Sequence, residues 1–287
     1  MRSLKVVLIA GAAIAAAFTS AQAADLGPIM QPRVMAPVQV EDMTGGWYLR
    51  GDIGFSNQSV KHLNNALDST LLTQDQRLDF ATAGIFGIGV GYQVNNWFRA
   101  DVTGEYRGKS SFSGLDLNTF SYGGFVHNGA DKYTANKSEV LFLANAYVDL
   151  GTWWCVTPFI GAGIGTSRVT ISDFTDQGLS DAVAGFPSTY GASPSTAFAN
   201  SASKWNFAWA VHAGLAYRIS PNVTLELAYR YVDLGDGVTG DIKTYQGTNS
   251  VYNPMTFKDI TSHDLKLGVR WNLDNPPVYA PPLVRKG

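Results

Sequence analysis

Residues 46–56 read Gly-Trp-Tyr-Leu-Arg-Gly-Asp-Ile-Gly-Phe-Ser. The large apolar side chains of this stretch fall on alternate positions and share one face: Trp47, Leu49, Ile53 and Phe55. The positions between them carry the more polar set: Tyr48, Arg50 and Asp52. Because successive residues of a β-strand point to opposite faces, this alternation predicts a strand with one apolar and one polar face.

The same alternation recurs along the chain, in segments 80–93, 97–108, 139–150, 156–172, 204–219, 223–233 and 260–273. The facing of the glycine-rich segment 156–172 stays open at this point. Short polar connections and long ones separate the segments in turn: short at 94–96, 151–155 and 220–222, long at 57–79, 109–138, 173–203 and 234–259. Eight strands joined in this way predict an all-β fold, an antiparallel up-and-down transmembrane barrel. We expect the long connections to be mobile, exposed loops outside the cell, and the short turns to be periplasmic.

The two ends of the chain differ in composition from the strand region. Arg2 and Lys5 precede an uncharged apolar run, and the small-x-small triplet Ala21-Gln22-Ala23 follows it. This pattern predicts a secretory signal peptide over residues 1–23. We further expect a proline-rich periplasmic linker over 24–45, the barrel over 46–273 and a proline-rich periplasmic tail over 274–287.

The polar faces of the strands distinguish a membrane barrel from a soluble, lipocalin-like one. A face in water should be rich in lysine and glutamate, whereas these faces are rich in glycine and alanine, which fit the crowded interior of a narrow barrel. We therefore predict that the apolar faces contact lipid. Aromatic side chains at both strand ends predict two membrane girdles: Trp47, Tyr92, Phe98, Tyr217 and Trp271 at the turn ends, and Phe55, Phe80, Tyr106, Trp205 and Tyr231 at the loop ends.

Charged residues recur on the faces predicted to point inward. Seven are cationic and six are anionic: Arg50, Arg99, Arg107, Arg218, Arg230, Lys266 and Arg270, with Asp52, Asp101, Glu105, Asp149, Glu226 and Asp264. Charges at membrane depth must be paired or hydrated. Their near balance favours a network of ion pairs that fills the lumen, and an ion path is the alternative.

Composition narrows the remaining function classes. The net charge is −2, so nothing indicates a nucleic-acid partner, and the single cysteine excludes an intrachain disulfide. The four histidines show no metal-site spacing, and we expect no cofactor. Ser262-His263-Asp264 has the composition of a catalytic triad, but neighbours on a strand point to opposite faces. We interpret His212 as a hydrogen-bonded lumen residue, and we expect no enzymatic activity.

Several stretches resemble a known family. They are the opening Gly-Trp-Tyr-Leu-Arg-Gly-Asp-Ile-Gly-Phe, then Thr-Pro-Phe-Ile-Gly-Ala-Gly-Ile-Gly, Leu-Ala-Tyr-Arg-Tyr-Val-Asp-Leu-Gly and Leu-Lys-Leu-Gly-Val-Arg-Trp-Asn-Leu. Over residues 46–273 the chain is similar to small OmpA-like transmembrane barrels of alphaproteobacteria, often called porin-family or surface-antigen proteins. The resemblance implies a Gram-negative outer membrane with its lipid and lipopolysaccharide as surroundings, and insertion by the barrel-assembly machinery.

The resemblance also implies a role for the mature N-terminus. In several members of this class, a mature chain that starts Ala-Asp is joined through its α-amine to peptidoglycan, and this chain would start Ala24-Asp25. About twenty extended residues at roughly 3.1 Å each would span on the order of 60 Å. We therefore expect a structural barrel and surface antigen, with a wall tether as a hypothesis. A narrow porin-like channel for small solutes is the alternative.

Overall fold

A computed structural model describes residues 45–181, 193–247 and 249–273. Strands dominate the described residues, and we number them in chain order: β1 Gly46–Ser59, β2 His62–Asn64, β3 Leu71–Phe80, β4 Ala83–Gln93, β5 Phe98–Tyr122, β6 Phe125–Asp149, β7 Val156–Ser180, β8 Ser193–Ala199, β9 Ala202–Arg218, β10 Val223–Thr244 and β11 Pro254–Asn272. A single 3₁₀ turn, Asp68–Thr70, lies between β2 and β3 in this part of the chain. No helix among the described residues is long and apolar enough to cross a membrane.

Eight of these strands close into an antiparallel ring within the described part of the chain. The order around the ring is β1, β4, β5, β6, β7, β9, β10 and β11, and β11 pairs with β1 to close it. Tyr48 pairs with Asn272 at one end of the closing ladder and Ser59 pairs with Thr261 at the other. Because a closed barrel leaves no strand edge, every backbone amide of the ring can be satisfied without water, as a membrane requires.

The ring is unequal at its two ends. One end, which we call the turn end, carries the short connections and both chain ends of the barrel. At the opposite end, the long end, the strands continue further, and we call this part of the barrel the extension. The part nearer the turn end is the turn half. The smaller strands continue the ring there: β2 pairs with β11, β3 pairs with β5, and β8 lies between β7 and β10.

The segments predicted as long loops are largely β-structure, which corrects the expectation of mobile loops. Residues 109–138 belong to β5 and β6, which continue to a two-residue turn at Gly123 and Gly124 with φ of 59° and 82°. Positive φ at both central residues is the primed hairpin turn that glycine favours. Each of these strands has 25 residues, whereas a tilted strand needs only about 9–11 to cross a membrane. The extra length therefore stands beyond the membrane.

Side-chain exposure follows the predicted alternation in the turn half of the barrel. Ile53, Ile88 and Leu267 are exposed on the outside, at 57%, 75% and 48%. In the glycine-rich β7, Ile160 and Ile164 are exposed and Phe159 is buried, which settles the facing that the sequence left open.

One member of the predicted girdle lies elsewhere. Phe80 is 4% exposed and packs inside the barrel against Phe112, with ring centroids 5.0 Å apart. Phe80 is the last residue of β3, which belongs to the extension. Its side chain points into the barrel, unlike the lipid-facing side chains of β4.

Candidate functional site

The lumen of the turn half holds a connected set of buried ion pairs. Arg50 on β1 donates to Asp52 on the same face, with an N–O distance of 2.9 Å, and to Asp101 on β5 at 2.8 Å. Arg99 lies 3.3 Å from both Asp149 and a carboxylate oxygen of Glu226. Every second residue of a strand points into the barrel. The inward side chains of neighbouring strands therefore lie side by side, and this brings the charged groups together.

Glu226 on β10 is the point where three cations of this layer meet. Its carboxylate lies 3.4 Å from Arg50, 3.3 Å from Arg99 and 3.4 Å from Arg270. The Arg99 guanidinium also stacks on the Tyr147 ring, 4.1 Å from its centroid. Aromatic faces attract desolvated cations, so Tyr147 contributes to holding Arg99 inside the barrel.

A second layer lies further toward the long end. Arg107 on β5 donates to Asp264 on β11 at 2.8 Å, and Arg230 on β10 donates to Asp264 at 2.7 Å and to Glu105 at 2.6 Å. Lys266 pairs with Glu105 as well, and lies 3.5 Å from Asp52 in the first layer. The two layers are therefore one network.

Sequence reasoning missed a third group at the top of this network. Lys137 and Glu139 on β6 pair with each other, Lys137 donates to Gln58, and Arg107 lies 2.8 Å from Glu139. The Lys137 ammonium also lies 4.6 Å from the centroid of the Phe80 ring. Lys137 and Glu139 point into the barrel, as Asn145 does, because all three occupy alternate positions of β6. The sequence placed the boundary between loop and strand between Lys137 and Glu139, so neither was predicted as a lumen residue.

The structure buries twelve of the thirteen charged residues predicted for the lumen, each within an ion pair: Arg50, Asp52, Arg99, Asp101, Glu105, Arg107, Asp149, Glu226, Arg230, Asp264, Lys266 and Arg270. Arg218 departs from the prediction. It is exposed because it is the last residue of β9, where the strand reaches the turn end. With Lys137 and Glu139 in place of Arg218, the network of the described residues holds seven cations and seven anions.

Histidine and serine side chains occupy the places that alternation predicts. His212 is buried, and its Nε2 lies 3.2 Å from Asn145 Oδ1. Ser262 and Asp264 point inward and are hydrogen-bonded at 2.5 Å, whereas His263 is on the outside, 2.5 Å from the Tyr229 hydroxyl. The triad composition of residues 262–264 therefore forms no triad.

An apolar plug fills the barrel beyond the ion pairs. Most of its members lie nearer the long end than the network, and a few run down the wall of β6 and β9: Val60, Leu63, Phe80, Phe112, Tyr133, Ala135, Leu141, Leu143, Val169, Ile171, Phe174, Ala208, Ala210, Val232, Leu234, Ile242, Met255, Phe257 and Ile260. Phe257 is 0% exposed, and its ring lies 4.9 Å from that of Phe112. This plug and the network block the same lumen in series.

Beyond the plug, the long end contains a cavity of about 680 Å³ whose lining includes Asp68, Asp116, Asp131 and Asp176. We call it the acidic cavity. All four carboxylates lie in segments that the sequence predicted as loops, so alternation was not used to place them. Ala24 and Asp25, the predicted site of wall attachment, lie outside the described residues.

The family model described as "Outer membrane protein beta-barrel domain" matches residues 10–272. The chain belongs to this family. An uncharacterized protein of Brucella abortus (strain 2308) is 31% identical over 237 residues, which cover 76% of this chain and 78% of the relative. Outer membrane protein PagN of Salmonella typhimurium is 26% identical over 248 residues, 84% of this chain and 95% of PagN.

Among solved structures, the crystal structure of the outer membrane protein OprG from Pseudomonas aeruginosa is similar with a TM-score of 0.45 and 14% identity, covering 81% of this chain and 97% of OprG. Family membership places the barrel in the outer membrane of a Gram-negative cell, as the resemblance implied. In outer-membrane barrels the short turns face the periplasm and the longer connections face the cell exterior, so we assign the turn end to the periplasm and the long end to the outside.

Proposed function

We propose that this outer-membrane protein is a closed structural barrel that contributes to envelope integrity and presents a β-stranded surface antigen outside the cell. The observation that carries the proposal is the double closure of the lumen, by the ion-pair network and by the apolar plug. A charge crossing this lumen would have to displace paired groups and then enter an apolar interior, and both steps are unfavourable.

The extracellular extension supports the surface role. Strand pairing between β5 and β6 continues to Tyr122 and Phe125 at the hairpin turn, and a ladder of hydrogen bonds holds a surface in one shape. A fixed, exposed surface is what an antigen presents to an antibody, and it leaves the interior free to serve stability.

Single-channel recording in planar bilayers tests the closure. We expect the folded protein, verified by its heat-modifiable mobility on an unboiled detergent gel, to give no current steps at any salt concentration. Steps that grow in proportion to salt would support the narrow porin-like channel and overturn the proposal. A gene deletion tests the envelope role: it should increase sensitivity to detergent, and the full chain should restore resistance.

Attachment to peptidoglycan is a separate part of the proposal and rests on Ala24 and Asp25. The experiment is mass spectrometry of boiled sacculi after muramidase and protease digestion, searching for the peptide that begins at Ala24 with a muropeptide mass. Ala24→Trp should remove the wall-bound fraction but leave the barrel in the membrane, whereas Met35→Leu in the same linker should leave both unchanged. Equal wall-bound amounts in both variants would contradict the tether.

A further inference from the structure

The acidic cavity is a blind chamber at the extracellular end of the barrel. The apolar plug lies beneath it, and Tyr133 and Ile242 belong to both. Exposed residues such as Ser195 and Asn249 line it on the other side, so the cavity reaches the surface. A molecule that enters from outside can be held there without passing through.

The charges around the cavity are unbalanced, in contrast to the seven cations and seven anions of the lumen network. Its lining, within the described residues, includes four aspartates and no lysine, arginine or histidine. Asp116 on β5 is directly opposite Asp131 on β6. Like charges at such a cross-strand position destabilise a sheet. The Asp116–Asp131 pair is therefore unfavourable for folding, whereas in the lumen acidic groups are paired with basic ones.

Two carboxylate oxygens at this site are buried and accept no hydrogen bond from the described residues: Asp116 Oδ1 and Asp176 Oδ1. Asp116 is 1% exposed, and its other oxygen accepts from Gln74 at 2.6 Å and Gln76 at 3.2 Å. Buried acceptors without a donor are uncommon in native proteins and call for an explanation. A ligand that donates hydrogen bonds would supply one.

The electrostatics of the cavity favour a cation. Burial, and then the charges of Asp131 and Asp116, raise the pKa of the Asp176 carboxyl to about 7. Burial raises the pKa of the Asp131 carboxyl too, with Asp116 adding to the rise and a hydrogen bond from Asn118 opposing it. Burial and the same carboxylates raise the pKa of the Tyr133 phenol. A bound positive charge would relieve all of these repulsions.

We propose that the acidic cavity binds a small organic cation that carries two or more ammonium groups. Ammonium groups donate up to three hydrogen bonds each, which suits the unpartnered oxygens of Asp116 and Asp176. The hydrocarbon chain between them would pack on the apolar part of the lining, Leu71 and Ile242. A bare metal ion suits the cavity less well, because among the described residues no three acidic, histidine or cysteine side chains are placed to enclose one.

Isothermal titration calorimetry of the full-length protein in detergent micelles, with spermidine as the probe, tests the proposal. We expect saturable binding to one site at low salt, weakened at least tenfold by the double substitution Asp131→Asn and Asp176→Asn. The matched control is Asp75→Asn, which removes an exposed carboxylate from the outer face of neighbouring β3 and should leave the affinity unchanged. Heat-modifiable mobility verifies that every variant is folded.

Proton release provides a second readout that a purely structural role of these aspartates would not give. Because a bound cation favours the charged form of Asp176, spermidine binding near pH 7 should release protons, and its heat should vary with the ionisation enthalpy of the buffer. The affinity should fall by tenfold or more between pH 8 and pH 5, as the carboxyls become protonated. Absence of saturable binding, or equal weakening in the control and the double variant, would overturn the proposal. Binding of CaCl₂ at the same site with higher affinity than spermidine would overturn the assignment to an organic cation.

Discussion

Arg230 and Glu105 form a bidentate ion pair across the full width of the barrel: Nη1 donates to Oε1 at 2.8 Å and Nη2 donates to Oε2 at 2.6 Å. Arg230 is on β10 and Glu105 is on β5, and these strands are four positions apart in the ring of eight. The pair therefore connects opposite walls.

Removing one member of this pair should be costly. Arg230→Met leaves Glu105 and Asp264 buried with fewer partners, and breaking a buried pair in this way destabilises a protein by about 3–5 kcal/mol. Urea unfolding in lipid vesicles, followed by tryptophan fluorescence, measures the change. The control Arg77→Met alters a side chain that is 72% exposed and should stay within about 0.5 kcal/mol. The combined variant Arg230→Met with Glu105→Gln should recover part of the loss; a loss that is additive instead would contradict the direct coupling.

Glycines on the inner face should resist enlargement. A Cβ atom at Gly89 would lie 2.8 Å from the Val102 carbonyl oxygen and 3.0 Å from Cγ of Arg50, whereas a Cβ at Gly51 would have no neighbour within 4 Å. Gly89→Val should therefore destabilise the barrel by about 1–3 kcal/mol through overpacking. Gly51→Val, on the outer face of β1, should be neutral or stabilising in the same unfolding assay. Equal effects at the two positions would mean that interior space does not limit the residue size.

The position of the membrane band is testable with two outward-facing residues. Ile88 on β4 is 75% exposed and Leu117 on the extension of β5 is 40% exposed. Arginine on the lipid face near the membrane midplane costs about 2–4 kcal/mol, so Ile88→Arg should lower the unfolding free energy by about that amount. Leu117→Arg should change it little, because the side chain lies in water beyond the membrane. A large loss at Leu117 as well would place the extension inside the lipid.

The acidic cavity should make the stability of the extension depend on pH. The Asp176 carboxyl has a pKa of about 7 in the folded chain and 3.8 as its ordinary value, so the folded state binds the proton more tightly. The favourable contribution is complete below about pH 4 and is lost as the pH rises through 7. Asp176→Asn should therefore increase the hydrogen-exchange protection of β6 and β7 at pH 8, by about 1–2 kcal/mol after screening by water.

The same variant at about pH 3 should match the wild-type protein, because the carboxyl is then protonated in both the folded and the unfolded chain. Asp75→Asn should have no effect at either pH. Protection that rises equally at pH 3 and pH 8 would mean that the charge of Asp176 is not responsible.

The turn half of the barrel could be predicted from the sequence because lipid surrounds it and requires apolar side chains on its outer face. Residues such as Ile53 and Leu267 must be apolar outside, and the interior must be small or paired, so every second residue differs in character. Of the thirteen charges predicted for the lumen from that alternation, all but Arg218 are buried there, whereas Lys137 and Glu139 were not among those predicted.

The extension could not be predicted in the same way, because both faces of its strands tolerate polar residues. Ser113, Asp116 and Asn118 on β5 read as a loop in the sequence, although Asp116 and Asn118 are buried inside. Water on the outer face removes the contrast on which the prediction depends. The apolar plug and the acidic cavity are built from these segments, and so both were missed, together with Lys137 at the boundary.

A surface made of strands also constrains how the sequence of that surface can diverge among related proteins. Loops accept insertions and deletions, but one inserted residue in β5 or β6 would turn every following side chain to the wrong face. Replacements at outward positions such as Ser113 and Leu115 leave the interior untouched. Substitutions are therefore tolerated at every second residue of the exposed strands, whereas the lengths of these strands and their inward-facing residues are constrained.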